Sequence, residues 1–346
     1  MNNKRICGNC FDVLRLFAAL SVMIGHFVRY YPLYSGGGNT TNNEIVHAIV
    51  GAFPGVPILL CLSGFLICAS LENSQSIWIF CKKRILRLYP GIYACTIVYA
   101  VGIICLIWAQ LDSSFIVWLC TQIFGMAYTP SCLVAFGTGS VNGALWTIMV
   151  EIQLYFVAAV SYRLLKRMNH TSWFILIFSS ILISIGCQYI TRIENVRIIC
   201  KLIERSFLPY TIWFLVGMYG FCKKDSVISF LKKYTIWGLA LYIVAIVVKR
   251  KVGLSLPGYY VDILSGVMLP ALTLGIGFRF SYKRFNYEIS YELFLYHWLI
   301  LNIMIHFNAF IILGWWWSFL SFVVATFILA FVMHIITNKL VSSIAK

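Results

Sequence analysis

Asp12, Arg15 and His26 sit inside the first apolar run, FDVLRLFAALSVMIGHFVRYY from Phe11 to Tyr31. At about 100° and 1.5 Å per helical residue, the path from Arg15 to His26 makes three turns plus roughly 20° and rises about 16 Å; Asp12 lies within about 60° of Arg15. All three share a face. Ionisable groups at membrane depth are costly enough to mark functional sites by default, so that face must line a polar interior or a water-filled cavity. Asp12 and Arg15 can pair with each other or snorkel to the interface. His26, about three turns deeper, carries an imidazole suited to proton transfer near neutral pH.

Two further groups invite chemistry. Glu151 falls inside the apolar run that begins near Gly143, where an isolated carboxylate seeks a partner; Thr147, four residues earlier, can satisfy it. Trp146 offers a flat face for a sugar or acts as an interfacial anchor. The stretch KKRILRLYP, Lys82 to Pro90, packs four cations at a helix start, with Arg84 and Arg87 one turn apart. Two readings suit it: a topology anchor, or a cradle for a phosphate-rich ligand held by Lys83, Arg84 and Arg87. No metal site is expected, because the Cys7 and Cys10 pair has no second pair or histidine pair to complete it.

Composition says what must position these groups. Residues of the AVILMFWYC set fill 61% of the 346 positions, and only 11% are charged. Mean hydropathy is +0.87, beyond what a globular surface tolerates. Apolar runs near the roughly 20 residues that cross a bilayer recur along the whole length, and such spans must be helices. The expected fold is an all-α, polytopic membrane bundle of about ten helices, forming one domain over residues 1–346. Spans are placed at 11–31, 48–71, 88–110, 143–162, 172–190, 206–222, 234–248, 261–278, 289–309 and 314–337. The first run lacks a small-residue cleavage pattern and is expected to remain as a helix. Segment 115–135, with Gly125 and Pro130 and the loop-like FGTGSVNG after it, reads as re-entrant or interfacial. Most of the twelve cysteines lie in apolar segments, where a thiol behaves as a small hydrophobe.

Charge sets the orientation. With the N-terminus inside, most of the 27 Lys and Arg fall in inner loops, among them Lys166, Lys223, Lys283 and Arg284, and both termini are cytoplasmic. Lys249, Arg250 and Lys251 run against this scheme. The formal charge of +16 is spread over short loops, which argues against nucleic-acid binding and for membrane lipids as the surroundings.

Five blocks follow one another along the chain: Arg15 and His26 in DVLRLFAALSVMIGH; GVPILLCLSGFLI from Gly55 to Ile67; RILRLYP from Arg84 to Pro90; NGALWTIMVEIQLYF from Asn142 to Phe156; and ISYELFLYHWLI from Ile289 to Ile300. In this order they resemble the membrane-bound acyltransferase 3 family of integral membrane carbohydrate O-acyltransferases. Ser63 matches the family's Ser-Gly and His297 its His-Trp; the Ser63-Gly64 pair also suits close helix packing. Departures fall at Pro57, Thr147, Ile152, Glu292 and Leu299. His306, His334, His47 and His170 match no block and read as packing, interfacial or loop residues.

The resemblance implies an acyltransferase of the inner membrane that keeps no permanent cofactor. Its co-substrate is cytoplasmic acetyl-CoA or another acyl-CoA, and its acceptor a hydroxyl of a polysaccharide or lipid-linked glycan, of O-antigen or exopolysaccharide type. His26 is then the general base or a transiently acylated nucleophile, with Glu151 and Arg15 beside it in the chemistry. Arg84, Arg87 and Lys83 hold the donor's phosphates, and Asp12, Ser63, Trp146, Thr147 and His297 support. The competing reading from the buried charges is a proton-coupled transporter or flippase.

Overall fold

The structure is a computed structural model that describes residues 9–193, 197–280 and 287–344; Cys7, Lys283 and Arg284 lie outside the described residues. Among the described residues the chain is all-α, with no strand. The described residues form thirteen α-helices: α1 (Phe11–Tyr34), α2 (Thr41–Ala52), α3 (Gly55–Glu72), α4 (Ile77–Ile107), α5 (Ser114–Ile123), α6 (Leu145–Arg167), α7 (His170–Ile190), α8 (Arg197–Arg205), α9 (Thr211–Cys222), α10 (Lys224–Val252), α11 (Ile263–Arg279), α12 (Ser290–His306) and α13 (Ala309–Ile344).

Among the described residues seven helical stretches are long and apolar enough to cross a membrane: Phe11–Tyr34, Thr41–Glu72, Ile77–Gln110, Leu145–Arg167, His170–Ile190, Lys224–Val252 and Ala309–Ser343. Three expected spans are shorter than their apolar runs. Helix α9 has 12 residues, α11 has 17 and α12 has 17. At 1.5 Å per residue these reach about 18, 26 and 26 Å, against a hydrocarbon core of about 30 Å. Local backbone chemistry stops them early. Pro209 lies in a short 3₁₀ turn ahead of α9, Asp262 caps α11 after irregular chain containing Pro257 and Gly258, and Asn308 takes a left-handed φ of 53° just past α12. Segment 115–135 holds the ten-residue α5 and, after an irregular stretch, a 3₁₀ turn at Ser131–Leu133, each too short to cross as a helix.

The chain divides into two compact units. The first comprises Met1–Ala18, Ala52–Ile77 and Val150–Asn286. Its core gathers Phe11, Leu14 and Ala18 of α1, Ile58, Cys61 and Phe65 of α3, Tyr242 of α10, and Leu269, Leu272 and Leu274 of α11. Because lipid tails are as apolar as leucine, helices in a membrane are held by close packing more than by exclusion of water, which favours small residues at crossings. Helices α3 and α9 show this. A Cβ on Gly64 would fall on the Phe214 carbonyl, and one on Gly217 on the Cys61 carbonyl. Gly217→Ala therefore forces the backbones apart, and overpacking of this kind costs about 1–3 kcal/mol. The expected result is a lower melting temperature of the purified protein in detergent; an unchanged melting curve would show that the crossing can widen freely. Lys249, one of the cations that run against the charge scheme, pairs with Asp262 at 2.7 Å. Asp262 also accepts the Ser265 N–H at 3.1 Å, capping α11.

The second unit comprises Ala19–Gly51, Trp78–Met149 and Tyr287–Lys346. Phe27 of α1 is fully buried, and its ring meets Phe310, Trp315, Phe319 and Phe322 of α13. Asn43 ties α2 to both neighbours, donating to the Val28 carbonyl at 2.9 Å and accepting from the Trp315 indole at 3.2 Å. Helix α12 is pinned from the α4 side: Tyr99 and Asn142 both donate to the Leu295 carbonyl, at 3.0 and 3.2 Å, and Tyr291 donates to the Leu88 carbonyl at 2.9 Å. These bonds fix the turn of α12 that carries His297.

Candidate active site

In the second unit, His26 Nδ1 lies 2.8 Å from His297 Nε2, and the two rings are within 4° of parallel. Residues 271 positions apart are thus joined by one in-plane hydrogen bond. Its direction follows from the next atom along. His297 Nδ1 is 3.1 Å from the Leu293 carbonyl, which can only accept, so Nδ1 carries the proton. A neutral imidazole has one N–H, so His297 Nε2 is an acceptor and His26 Nδ1 must donate to it. That leaves the lone pair of His26 on Nε2. The chain from the Leu293 carbonyl through His297 to His26 therefore does what a carboxylate or carbonyl does behind other working histidines: it selects the tautomer and fixes the ring. His297 is wholly buried, whereas the His26 residue is partly accessible. The Trp298 ring lies at 72° to the His26 ring with centroids 4.5 Å apart, and Tyr30 meets the same indole at 5.7 Å.

In the first unit, Glu151 of α6 accepts from Ser63 Oγ of α3 at 2.5 Å and from the Tyr155 hydroxyl one turn on; Ser63 and Tyr155 are 3.3 Å apart. Two hydroxyls converge on one carboxylate oxygen. Thr147 does not partner Glu151 as the spacing suggested, because its hydroxyl donates to the Ala144 carbonyl at 2.9 Å. A threonine in the first helical turn has its own backbone acceptors within reach, and the nearer one wins. Tyr155 is a residue the sequence reading missed; its position four after Glu151 was the available signal. Asp12 and Arg15 pair with each other at 3.1 Å. His297, ranked below Glu151 from sequence, proves to be the group bonded to His26, and Trp146 sits half-buried at the start of α6.

On α4, the half-buried Arg84 places its guanidinium 5.8 Å over the Phe80 ring, while Lys83 and Arg87 are exposed. His334, read as a packing residue, instead lies 3.1 Å from Glu292 in a buried pair. Among the described residues no three His, Cys, Asp or Glu side chains converge as a metal site would require, and the cysteines described are free thiols.

Comparison with known proteins settles the class. The sequence pattern of a family described as "Acyltransferase domain" matches residues 9–335, nearly the whole chain. The chain belongs to this acyltransferase family. It is an enzyme, and the transporter reading of the buried charges is set aside. This acyltransferase is 24% identical over 352 residues to "Nodulation protein 10" of Rhizobium leguminosarum bv. viciae, covering 93% of this chain and 90% of that protein. It is 28% identical over 178 residues to "O-acetyl transferase" of Shigella phage Sf6, covering 50% of this chain and 51% of the phage protein. No solved structure matches it.

Proposed function

We propose that this acyltransferase moves an acetyl group from acetyl-CoA to a hydroxyl of a cell-surface or exported polysaccharide, or of its lipid-linked precursor. The observation that carries this reading is the hydrogen bond between His26 Nδ1 and His297 Nε2, whose deduced direction leaves the His26 lone pair on Nε2. The printed name of the phage relative supports O-acetyl as the group transferred. As the acceptor oxygen forms its bond to the thioester carbon, Nε2 takes the hydroxyl proton. When the C–S bond breaks, that proton passes to the leaving thiolate, so no net proton is gained or lost. In the variant route, Nε2 attacks the thioester carbon and the C–S bond breaks to release the CoA thiolate; the alcohol oxygen then takes the acyl group as the N–acyl bond breaks, and the alcohol's proton ends on the thiolate.

Arg84, Arg87 and Lys83 hold the donor's diphosphate and 3'-phosphate on this reading, and the Asp12 and Arg15 pair lies along the donor's route. Glu151, with Ser63 and Tyr155 on it, contacts the acceptor, and Trp146 offers it a flat face. The whole of residues 1–346 acts as one functional domain in the cytoplasmic membrane, with about ten crossings and both termini inside.

The test is chemical analysis of glycans from cells with and without the protein. Ester-linked acetyl present only with the intact gene supports the reading; identical glycans in both would overturn it. For the donor, removing phosphate contacts by Arg84→Ala with Arg87→Ala should raise the apparent KM for acyl-CoA in membrane vesicles about tenfold or more and leave kcat within a few-fold. An unaltered KM would return these residues to a purely topological role.

A further inference from the structure

The irregular chain between α5 and α6 contains FGTGSVNG, Phe136 to Gly143, which none of the steps above uses. It is bound to α12 by an unusually complete set of hydrogen bonds, centred on Asn302. The Asn302 carboxamide is fully buried. Its oxygen accepts from the Thr138 N–H and the Thr138 hydroxyl, both at 2.9 Å. Its NH₂ donates to the Ser140 and Val141 carbonyls at 2.8 and 3.1 Å. All four hydrogen-bonding positions of the amide are filled, and two carbonyl partners on the nitrogen leave no doubt which way it faces.

The Thr138 hydroxyl, having given its single proton to Asn302, accepts from the Trp298 indole N–H at 3.0 Å; the same N–H reaches the Ser140 carbonyl at 3.0 Å. Glycine makes this approach possible. Gly137 and Gly139 take left-handed φ angles of 58° and 75°, and a Cβ on Gly137 or Gly143 would collide with Asn302 or the Trp298 ring. Trp298 and Asn302 lie one turn apart on α12, and the Trp298 ring meets His26 at 72° with centroids 4.5 Å apart.

We propose that Thr138 and Asn302 are positioning residues for acyl transfer: they lock the Trp298 indole where it prevents the His26 ring from swinging away from His297. The proposal rests on His26 being the reacting base. Apolar side chains would fasten a loop to a helix as firmly, since buried polar networks gain little net stability. What the network adds is direction. An indole held by its N–H to two fixed acceptors cannot rotate, so the His26 ring is confined between His297 on one nitrogen and the steeply inclined Trp298 ring beside it. Misplacement of a reacting group by about 1 Å can lower a rate about a hundredfold.

The experiment compares Thr138→Val, which keeps the shape and loses the hydroxyl, with Thr138→Ser, which keeps the hydroxyl, in the purified full-length protein. Two readouts are taken: acyl-transfer kinetics, and carbethoxylation of His26 by diethyl pyrocarbonate across pH 5.5 to 8, followed by peptide mass spectrometry. Thr138→Val is expected to lower kcat about tenfold or more, leave the acyl-CoA KM within about twofold and change the rate or pH profile of His26 modification, while Thr138→Ser stays near wild type in all three. Trp298→Phe, which keeps a ring but removes the N–H, should behave as Thr138→Val does and serves if the valine variant does not accumulate. Wild-type His26 reactivity in Thr138→Val, or in Trp298→Phe where that variant is used, overturns the proposal whatever happens to kcat. If the wild-type protein transfers no acyl group yet His26 reactivity still responds to Thr138→Val and not to Thr138→Ser, the clamp stands and the assigned reaction falls.

Discussion

His26→Ala is expected to remove acyl transfer while the protein still accumulates in the membrane. General-base assistance is typically worth 10²–10⁴-fold, and the full loss is larger if the acyl group travels through the imidazole, because that route has no substitute. The substitution also leaves His297 Nε2 without its donor in a buried site, which costs about 1–3 kcal/mol of stability. Membrane abundance and the melting temperature must therefore be measured beside activity. Rates are compared per folded molecule, by ester-linked acetyl on glycan in cells and by release of free thiol in vesicles. A stable His26→Ala protein with wild-type turnover would remove the imidazole from the chemistry.

The second large effect is expected at His297, and there the order among variants matters more than any one value. His297→Leu removes the acceptor for the His26 Nδ1 proton; the free ring then samples the other tautomer, with its proton on the nitrogen that must accept. Loss of such an orienting partner typically lowers activity about 10- to 100-fold. His297→Gln retains a side-chain oxygen able to accept from Nδ1 and should keep a rate above that of His297→Leu. Equal rates for the two would mean that His297 fills space and does not select the tautomer.

Helix α1 shows how much of the site was legible from residue order. Arg15, Asp12 and His26 could be placed on one face because helical geometry is local, and the helix does run unbroken from Phe11 to Tyr34. The partner of His26 could not be read the same way. His297 stands 271 residues away, and nothing in local spacing encodes a pairing set by how α12 is pinned through Leu295 and Leu88. Glu151 lies between these cases. Its carboxylate was recognisable as needing a donor, and Tyr155 supplied one at helical spacing, but Ser63 comes from another helix and Thr147 was drawn off by its own backbone. Helix ends depart from the edges of the apolar runs for a physical reason too: hydropathy continues through Pro209 and past Asn308, where the regular α-helix does not.

The clamp on the FGTGSVNG segment was the least legible feature. Its glycines and short polar residues signal irregular chain, yet not what that chain grips. Asn302, flanked by apolar residues inside a span, was the only local hint, since a lone carboxamide there needs partners for both ends.

The most direct test of this account is the ¹⁵N spectrum of the purified protein labelled at its six histidines, with His26 assigned by its absence from a His26→Gln sample. The account predicts that at neutral pH His26 Nδ1 shows the signature of an N–H and Nε2 that of a bare nitrogen, and that His297→Leu mixes the two tautomers. A proton found on His26 Nε2 in the wild-type protein would contradict it.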